Sequence, residues 1–85
     1  MTGFKKIIVL NNESLDFDFR KVYVPRRLKY FVTVRRPYKP MVSFEMEKTS
    51  VSWNIIAPAP TWVIELQDEL VRIIKDHLKK GDGLS

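Results

Sequence analysis

The chain has 85 residues, with 15 Lys and Arg against 10 Asp and Glu, one His and no Cys. This length supports a single domain, and it excludes doubly wound nucleotide-binding folds and (β/α)₈ barrels, which need far more chain. The absence of Cys excludes disulfide frameworks, thiolate zinc sites and thiol nucleophiles. The composition, 45% hydrophobic and 29% charged, is typical of a globular protein rather than a disordered one.

Four extended segments open the chain. Residues 4–10 are rich in β-branched side chains and end at the turn-prone pair Asn11 and Asn12. Residues 15–24, 29–35 and 41–47 alternate between apolar and polar side chains with a period of two, which indicates strands. The alternation within 15–24 changes phase after Arg20. We therefore expect a β-bulge near Arg20 and Lys21 that returns Val22 to the apolar face.

A fifth strand and one helix complete the predicted elements. Residues 50–56 carry Val51, Trp53 and Ile55 on one face, and the proline-containing stretch 57–60 ends that strand. One helix is predicted over 61–80, because apolar residues recur there at intervals of three and four. Gly81 is expected to stop the helix, and residues 81–85 are expected to fray as a C-terminal tail.

The spacing of these elements predicts the fold class. Short strands follow one another with no helical pattern between them, which favours an antiparallel meander over parallel strands joined by helices. We therefore predict an α+β fold with two layers, in which a five-stranded antiparallel meander sheet carries one C-terminal helix packed on one face. Residues 1–80 are expected to form this single domain.

The sequence predicts no catalytic residue, no cofactor and no metal site. A catalytic site needs a nucleophile, a base and an orienting group within reach of one another. The single histidine, His77, lies at the apolar edge of the helix, where a structural role is favoured. Pairs such as Asp16 with Asp18 and Glu45 with Glu47 are expected to face water beside basic neighbours. We therefore expect a protein that is not an enzyme.

Positive charge is concentrated between Arg26 and Pro40, where six basic residues occur without an acid. In a meander, the charges of the third strand are expected to be neutralised by acids on both neighbouring strands. The unpaired cations then lie in the loops and at the helix C-terminus, which share one end of the sheet. We call this predicted set the basic pole; it comprises Lys5, Lys6, Arg26, Arg27, Lys48, Lys79 and Lys80. It could receive an acidic protein or a nucleic-acid backbone, although scattered solubilising lysines would give the same pattern.

A second predicted surface is apolar. The first strand is apolar on both faces, and further apolar side chains are expected on the sheet face away from the helix. An uncovered apolar patch usually marks an interface. We therefore predict self-association through the outer face or an edge of the sheet, unless the first strand is central. The residues predicted for this contact are Ile8, Leu10, Phe31 and Ile56.

These observations lead to two functional hypotheses. The first is a small protein-interaction or assembly domain that forms a homodimer or another homo-oligomer. The alternative is a non-specific nucleic-acid-binding protein that uses the basic pole. No apolar run approaches the roughly 18–20 residues of a membrane span. The apolar run of residues 7–10 is too short for a signal peptide, so we expect a cytoplasmic protein without a membrane partner.

Overall fold

The alternating segments of the sequence form one five-stranded sheet. The computed structural model describes residues 3–24, 27–56 and 58–82, and for residues 23, 24, 27, 81 and 82 it describes the backbone only. The strands are antiparallel and neighbour one another in chain order. This arrangement confirms the predicted meander. The strands are β1 (Gly3–Leu10), β2 (Glu13–Val24), β3 (Arg27–Arg35), β4 (Val42–Lys48) and β5 (Trp53–Ile56).

A C-terminal helical segment packs on one face of this sheet. It consists of α1 (Thr61–Ile64), α2 (Gln67–His77) and a terminal π-helical turn (Leu78–Asp82). This element confirms the α+β fold class, although the predicted single helix over 61–80 is interrupted at Glu65 and Leu66. Gly81 does not stop the helical segment as predicted, because it lies within the π-helical turn. Residues 83–85 of the predicted tail lie outside the described residues. No helix among the described residues is long and apolar enough to cross a membrane.

The core lies between the helical segment and the sheet. Directly opposite residues of antiparallel strands point to the same face, so the register aligns the apolar sets of neighbouring strands. Phe17 and Phe19 of β2 face Val34 and Val32 of β3, and all four are fully buried. No charged or polar residue is buried among the described residues. The other buried residues are Leu15, Tyr30, Phe44, Met46, Trp53, Val63, Leu70, Ile73 and Ile74.

The predicted β-bulge in β2 is wrong. The pairing of β2 with β3 continues without interruption from Asp16, opposite Arg35, to the end of β2 and the start of β3. Lys21, opposite Tyr30, therefore takes a position on the helix side of the sheet, and Val22 takes one on the opposite side. A lysine can occupy an inward position near the end of a strand, because its aliphatic stem packs while its ammonium reaches water. The apolar–polar alternation therefore changes after Arg20 because Lys21 occupies an inward position, and not because the strand contains an extra residue.

The fifth strand is shorter than predicted, since it begins only at Trp53. The Oγ1 atom of Thr49 accepts hydrogen bonds from the backbone N–H groups of Val51 and Ser52, at 3.3 and 3.2 Å. It also donates one to the Ser52 carbonyl at 2.9 Å. These bonds hold the segment in a turn, so Val51 is 87% exposed and not on the core face as predicted.

The interruption of the helix coincides with a contact to the sheet. The Gln67 side-chain oxygen accepts a hydrogen bond of 3.2 Å from the backbone N–H of Ile55 in β5. At the other end of α2, the His77 ring stacks on Phe4 of β1. Helix α2 therefore runs across the sheet from its β5 edge to its β1 edge. The opposite face, which we call the open face, carries no helix among the described residues.

Candidate interaction surfaces

Strand β1 forms one edge of the sheet, which we call the free edge. Its eight residues pair with β2 in unbroken register, and they contain neither a proline nor a bulge. Among the described residues, its backbone hydrogen bonds are confined to β2. Ile7 and Val9 are 64% and 67% exposed. A long, regular edge strand with apolar side chains is a template for pairing with another strand.

The opposite edge is protected. Strand β5 has only four residues, and the N–H of Ile55 donates a hydrogen bond to the side chain of Gln67. A side-chain acceptor on an edge N–H removes that group from pairing with another chain. The two edges of the sheet therefore differ in length and in the availability of their backbone groups.

The open face is electrically balanced. Its described side chains include four basic residues (Lys5, Arg20, Lys29 and Arg35) and four acidic residues (Asp16, Asp18, Glu45 and Glu47). Two ion pairs link them: Lys29 lies 3.5 Å from Glu45, and Arg20 lies 3.9 Å from Asp18. This arrangement confirms that the acids and bases of neighbouring strands face each other. A balanced surface attracts phosphate groups only weakly.

The residues predicted for self-association do not form one patch. Phe31 lies on the open face with 38% exposure, and it lines a depression of about 350 Å³ together with Ile56. Ile8 and Leu10, however, lie on the helix side and pack partly against the core, so their predicted position on the outer face is wrong. Their odd-numbered neighbours take the outward positions, because Phe4 fixes the phase of β1 by stacking on Phe19 of the core. Asp16 and Asp18 of β2 lie between the exposed residues of β1 and Phe31 on β3.

The structure brings part of the basic pole together. Lys6 and Lys80 line the same depression of about 180 Å³, and Lys5 follows Lys6 along the free edge. Lys48 lies on β4, three strands and about 14 Å from β1. Arg26 lies outside the described residues, and the side chain of Arg27 is not described. These elements do share one end of the sheet, as predicted. The described cations, however, gather at the corner where that end meets β1.

Three shallow depressions near this corner are linked by shared lining residues, and we call their combined lining the basic band. The first follows α2 with a volume of about 410 Å³ and shares Asp76 with the second. The second shares Lys6 with the third, which has about 520 Å³ and lies beside the free edge. Asp16 and Asp68 also line the band. Its basic residues are Lys5, Lys6, Arg72, Lys75, Lys79 and Lys80.

Sequence reasoning missed Arg72 and Lys75 as members of this surface. Arg72 and Lys75 precede Lys79 by seven and four residues, a spacing that places all three on one helix face. That signal was present in the sequence, but the predicted pole was defined by loops and termini alone. Arg72 forms an ion pair with Glu69, at 3.0 Å.

His77 has a structural position. Its ring lies 3.9 Å from the ring of Phe4, and the other face of Phe4 stacks on Phe19 at 4.5 Å. Among the described residues, no group of three or more His, Asp or Glu side chains is arranged to hold a metal ion. Trp53 is buried beside Tyr30, whereas Trp62 is only partly buried, with its ring beneath the guanidinium of Arg36.

The comparisons with known proteins found no match among family models, curated proteins or solved structures.

Proposed function

We propose that this chain is a non-enzymatic assembly domain that self-associates through the free edge, with β1 of one copy pairing antiparallel to β1 of a second copy. The observation that carries this proposal is the contrast between the two edges of the sheet. Strand β5 is short and its Ile55 N–H is occupied by Gln67, whereas β1 is long, regular and apolar at Ile7 and Val9. Pairing would join two five-stranded sheets into one of ten strands.

The charge distribution favours the edge over the open face. Stacking two open faces would bury four acidic and four basic side chains from each copy. Moving charges out of water is costly unless every one finds a well-aligned partner. Pairing along β1 buries apolar side chains and backbone groups instead, and it leaves the ion pairs of the open face in water.

A two-fold axis at Ile8 suits the side chains best. In that register, Ile7 of each copy lies opposite Val9 of the other, and Ile8 lies opposite its own equivalent. Lys6 then lies opposite Leu10, and the two Lys5 residues are about 20 Å apart along the strands. An axis at Ile7 would place Lys5 opposite Val9. The Ile8 register therefore groups the exposed apolar side chains and keeps the lysines apart.

This register also preserves part of the original prediction. Ile8 and Leu10 are predicted to take part in self-association through the outer face or an edge of the sheet, and they lie on the helix side. At a seam between two β1 strands, both residues remain in the contact. Cross-strand pairs contribute roughly 0.2–1 kcal/mol each, so the dimer is expected to be weak and to depend on protein concentration.

Sedimentation equilibrium of the full chain up to high micromolar concentration tests this proposal. We expect a monomer–dimer equilibrium for the wild type and a monomer for the double variant Ile7→Lys/Val9→Lys, because four lysines would meet at the seam. The matched control is Val51→Lys/Ile64→Lys, which changes two exposed apolar residues away from β1. The control should dimerise like the wild type.

Two results would overturn the proposal. One is a wild type that stays monomeric at high micromolar concentration. The other is a control pair that loses association as fully as the β1 pair, since the contact would then not lie at the free edge. The cytoplasmic location expected from the sequence stays a prediction.

A further inference from the structure

We infer that the basic band is a second binding site and that its ligand is the phosphate backbone of duplex nucleic acid. The helical residues of the band are separate from the proposed dimer seam. The band contains six basic residues from two elements that are distant in sequence, and three acidic residues, so it carries a net charge of +3. The open face, which shares Lys5 and Asp16 with the band, is balanced. The band therefore holds a large share of the net charge of +5 of the chain.

The helix C-terminus alone does not explain these cations. Lysines in the last turn of a helix interact favourably with the helix dipole, which accounts for Lys79 and Lys80. It does not account for Lys6, which extends from β1 into the depression that Lys80 lines. Nor does it account for Arg72, which lies near the middle of α2. Cations from two elements converge on one surface.

The ion pairs within the band leave its cations available. Lys80 lies 3.7 Å from Asp76, and both side chains are largely exposed, at 79% and 65%. Arg72 lies 3.0 Å from Glu69 and is 72% exposed. Exposed pairs of this kind contribute little free energy, so a phosphate group can compete for the same cations.

The shape of the band favours a duplex over a single strand. From Arg72 to Lys79 the helix rises about 10 Å, and a DNA duplex presents one charge per about 1.7 Å of its axis. Single-strand binding uses exposed aromatic faces on which bases stack. Phe4 is the phenyl ring in the band, and both of its faces are occupied, by Phe19 and His77. Contacts to the backbone without base stacking are expected to be independent of sequence.

Fluorescence anisotropy with a labelled DNA duplex of about 20 base pairs tests this inference. If four of the six cations contact phosphates, affinity should fall about 100-fold between about 50 and 200 mM salt. In the variant Lys75→Glu/Lys79→Glu, the same change of salt should lower any remaining affinity only about 10-fold. Lys75 lies on α2 and Lys79 in the π-helical turn that follows it, and neither belongs to β1, so the substitutions leave the free edge unchanged.

The matched control is Lys39→Glu/Lys48→Glu, which makes the same change of net charge at exposed positions outside the band. Circular dichroism melts should show that both variants fold. The inference is supported if the control binds duplex within about threefold of the wild type while the band variant loses at least tenfold at about 50 mM salt. It is overturned if the wild type does not bind duplex, or if both variants weaken equally. It is also overturned if a single strand of the same length, or anionic lipid vesicles, bind more tightly than the duplex.

Discussion

His77 and Phe4 join the last turn of α2 to the first residues of the free-edge strand. Their rings stack with centroids 3.9 Å apart and planes inclined by 15°. Phe4 in turn stacks on the buried Phe19, so the helix, the edge strand and the core form one aromatic column. This column holds β1 in the phase that directs Ile7 and Val9 outward, and it supports one end of the basic band.

Replacing His77 with Ala should lower the free energy of unfolding by about 1 kcal/mol, because one face of Phe4 loses its stacking partner. The variant His77→Phe retains a ring and should stay within about 0.5 kcal/mol of the wild type. Urea denaturation followed by circular dichroism measures both values. Equal stability of His77→Ala and the wild type would show that the stack does not anchor β1.

Replacing Gln67 with Ala should destabilise the domain by about 1 kcal/mol, because the N–H of Ile55 loses its acceptor. The amide of Ile55 should also exchange faster with solvent, as measured by hydrogen exchange with NMR detection. Gln67→Glu keeps an oxygen in the same place and serves as the matched control. Unchanged exchange at Ile55 in the Ala variant would contradict the assignment of Gln67 as the group that closes the β5 edge.

Thr49→Ala should lower stability by about 1 kcal/mol, since the hydroxyl accepts hydrogen bonds from two backbone amides of the β4–β5 turn. Thr49→Ser retains the hydroxyl and should recover most of that loss. Chemical denaturation of both variants provides the measurement. A Ser variant as unstable as the Ala variant would indicate that the methyl group of Thr49, and not its hydroxyl, stabilises the turn.

The proposed register can be tested with a single cysteine, because the chain contains none of its own. A two-fold axis at Ile8 brings the two Cα atoms of this position to about 4.5–5.5 Å, within the range that a disulfide spans. Ile8→Cys should therefore form a covalent dimer under mild oxidation, visible on a non-reducing gel. Ile7→Cys, which lies opposite Val9 in this register, should cross-link far less. Stronger cross-linking at Ile7 would refute the Ile8 register.

Much of the fold followed from local patterns. Period-two alternation identified the strands from Leu15 to Met46, and their spacing was sufficient for the meander, since short connections favour pairing between consecutive strands. The predicted inward face was correct at Phe17, Val32 and Phe44. It failed at Val51, where the side-chain hydroxyl of Thr49 holds the backbone in a turn. The spacing of apolar residues gives no information about these local hydrogen bonds of Thr49.

The sequence did not predict which side chains of β1 face the helix and which face the open side. Residues 7–10 are apolar at every position, so alternation cannot distinguish the face of Ile7 from the face of Ile8. The aromatic contacts of Phe4 with Phe19 and His77 decide it, and those contacts join residues far apart in the chain. The break in the helix has a similar origin, because Gln67 meets Ile55 only when the helix packs on the sheet.

The sequence by itself determined the strands, the helix-forming region, the fold class and the excess of positive charge, because each depends on residue type and short-range spacing. Only the tertiary structure decided which strand edge stays open, which face Ile8 occupies and which lysines become neighbours. Those properties depend on the packing of α2 across the sheet, which unites Lys6 with Lys80 and leaves Lys48 about 14 Å from β1. Long-range packing selects one arrangement among several that the same local pattern allows.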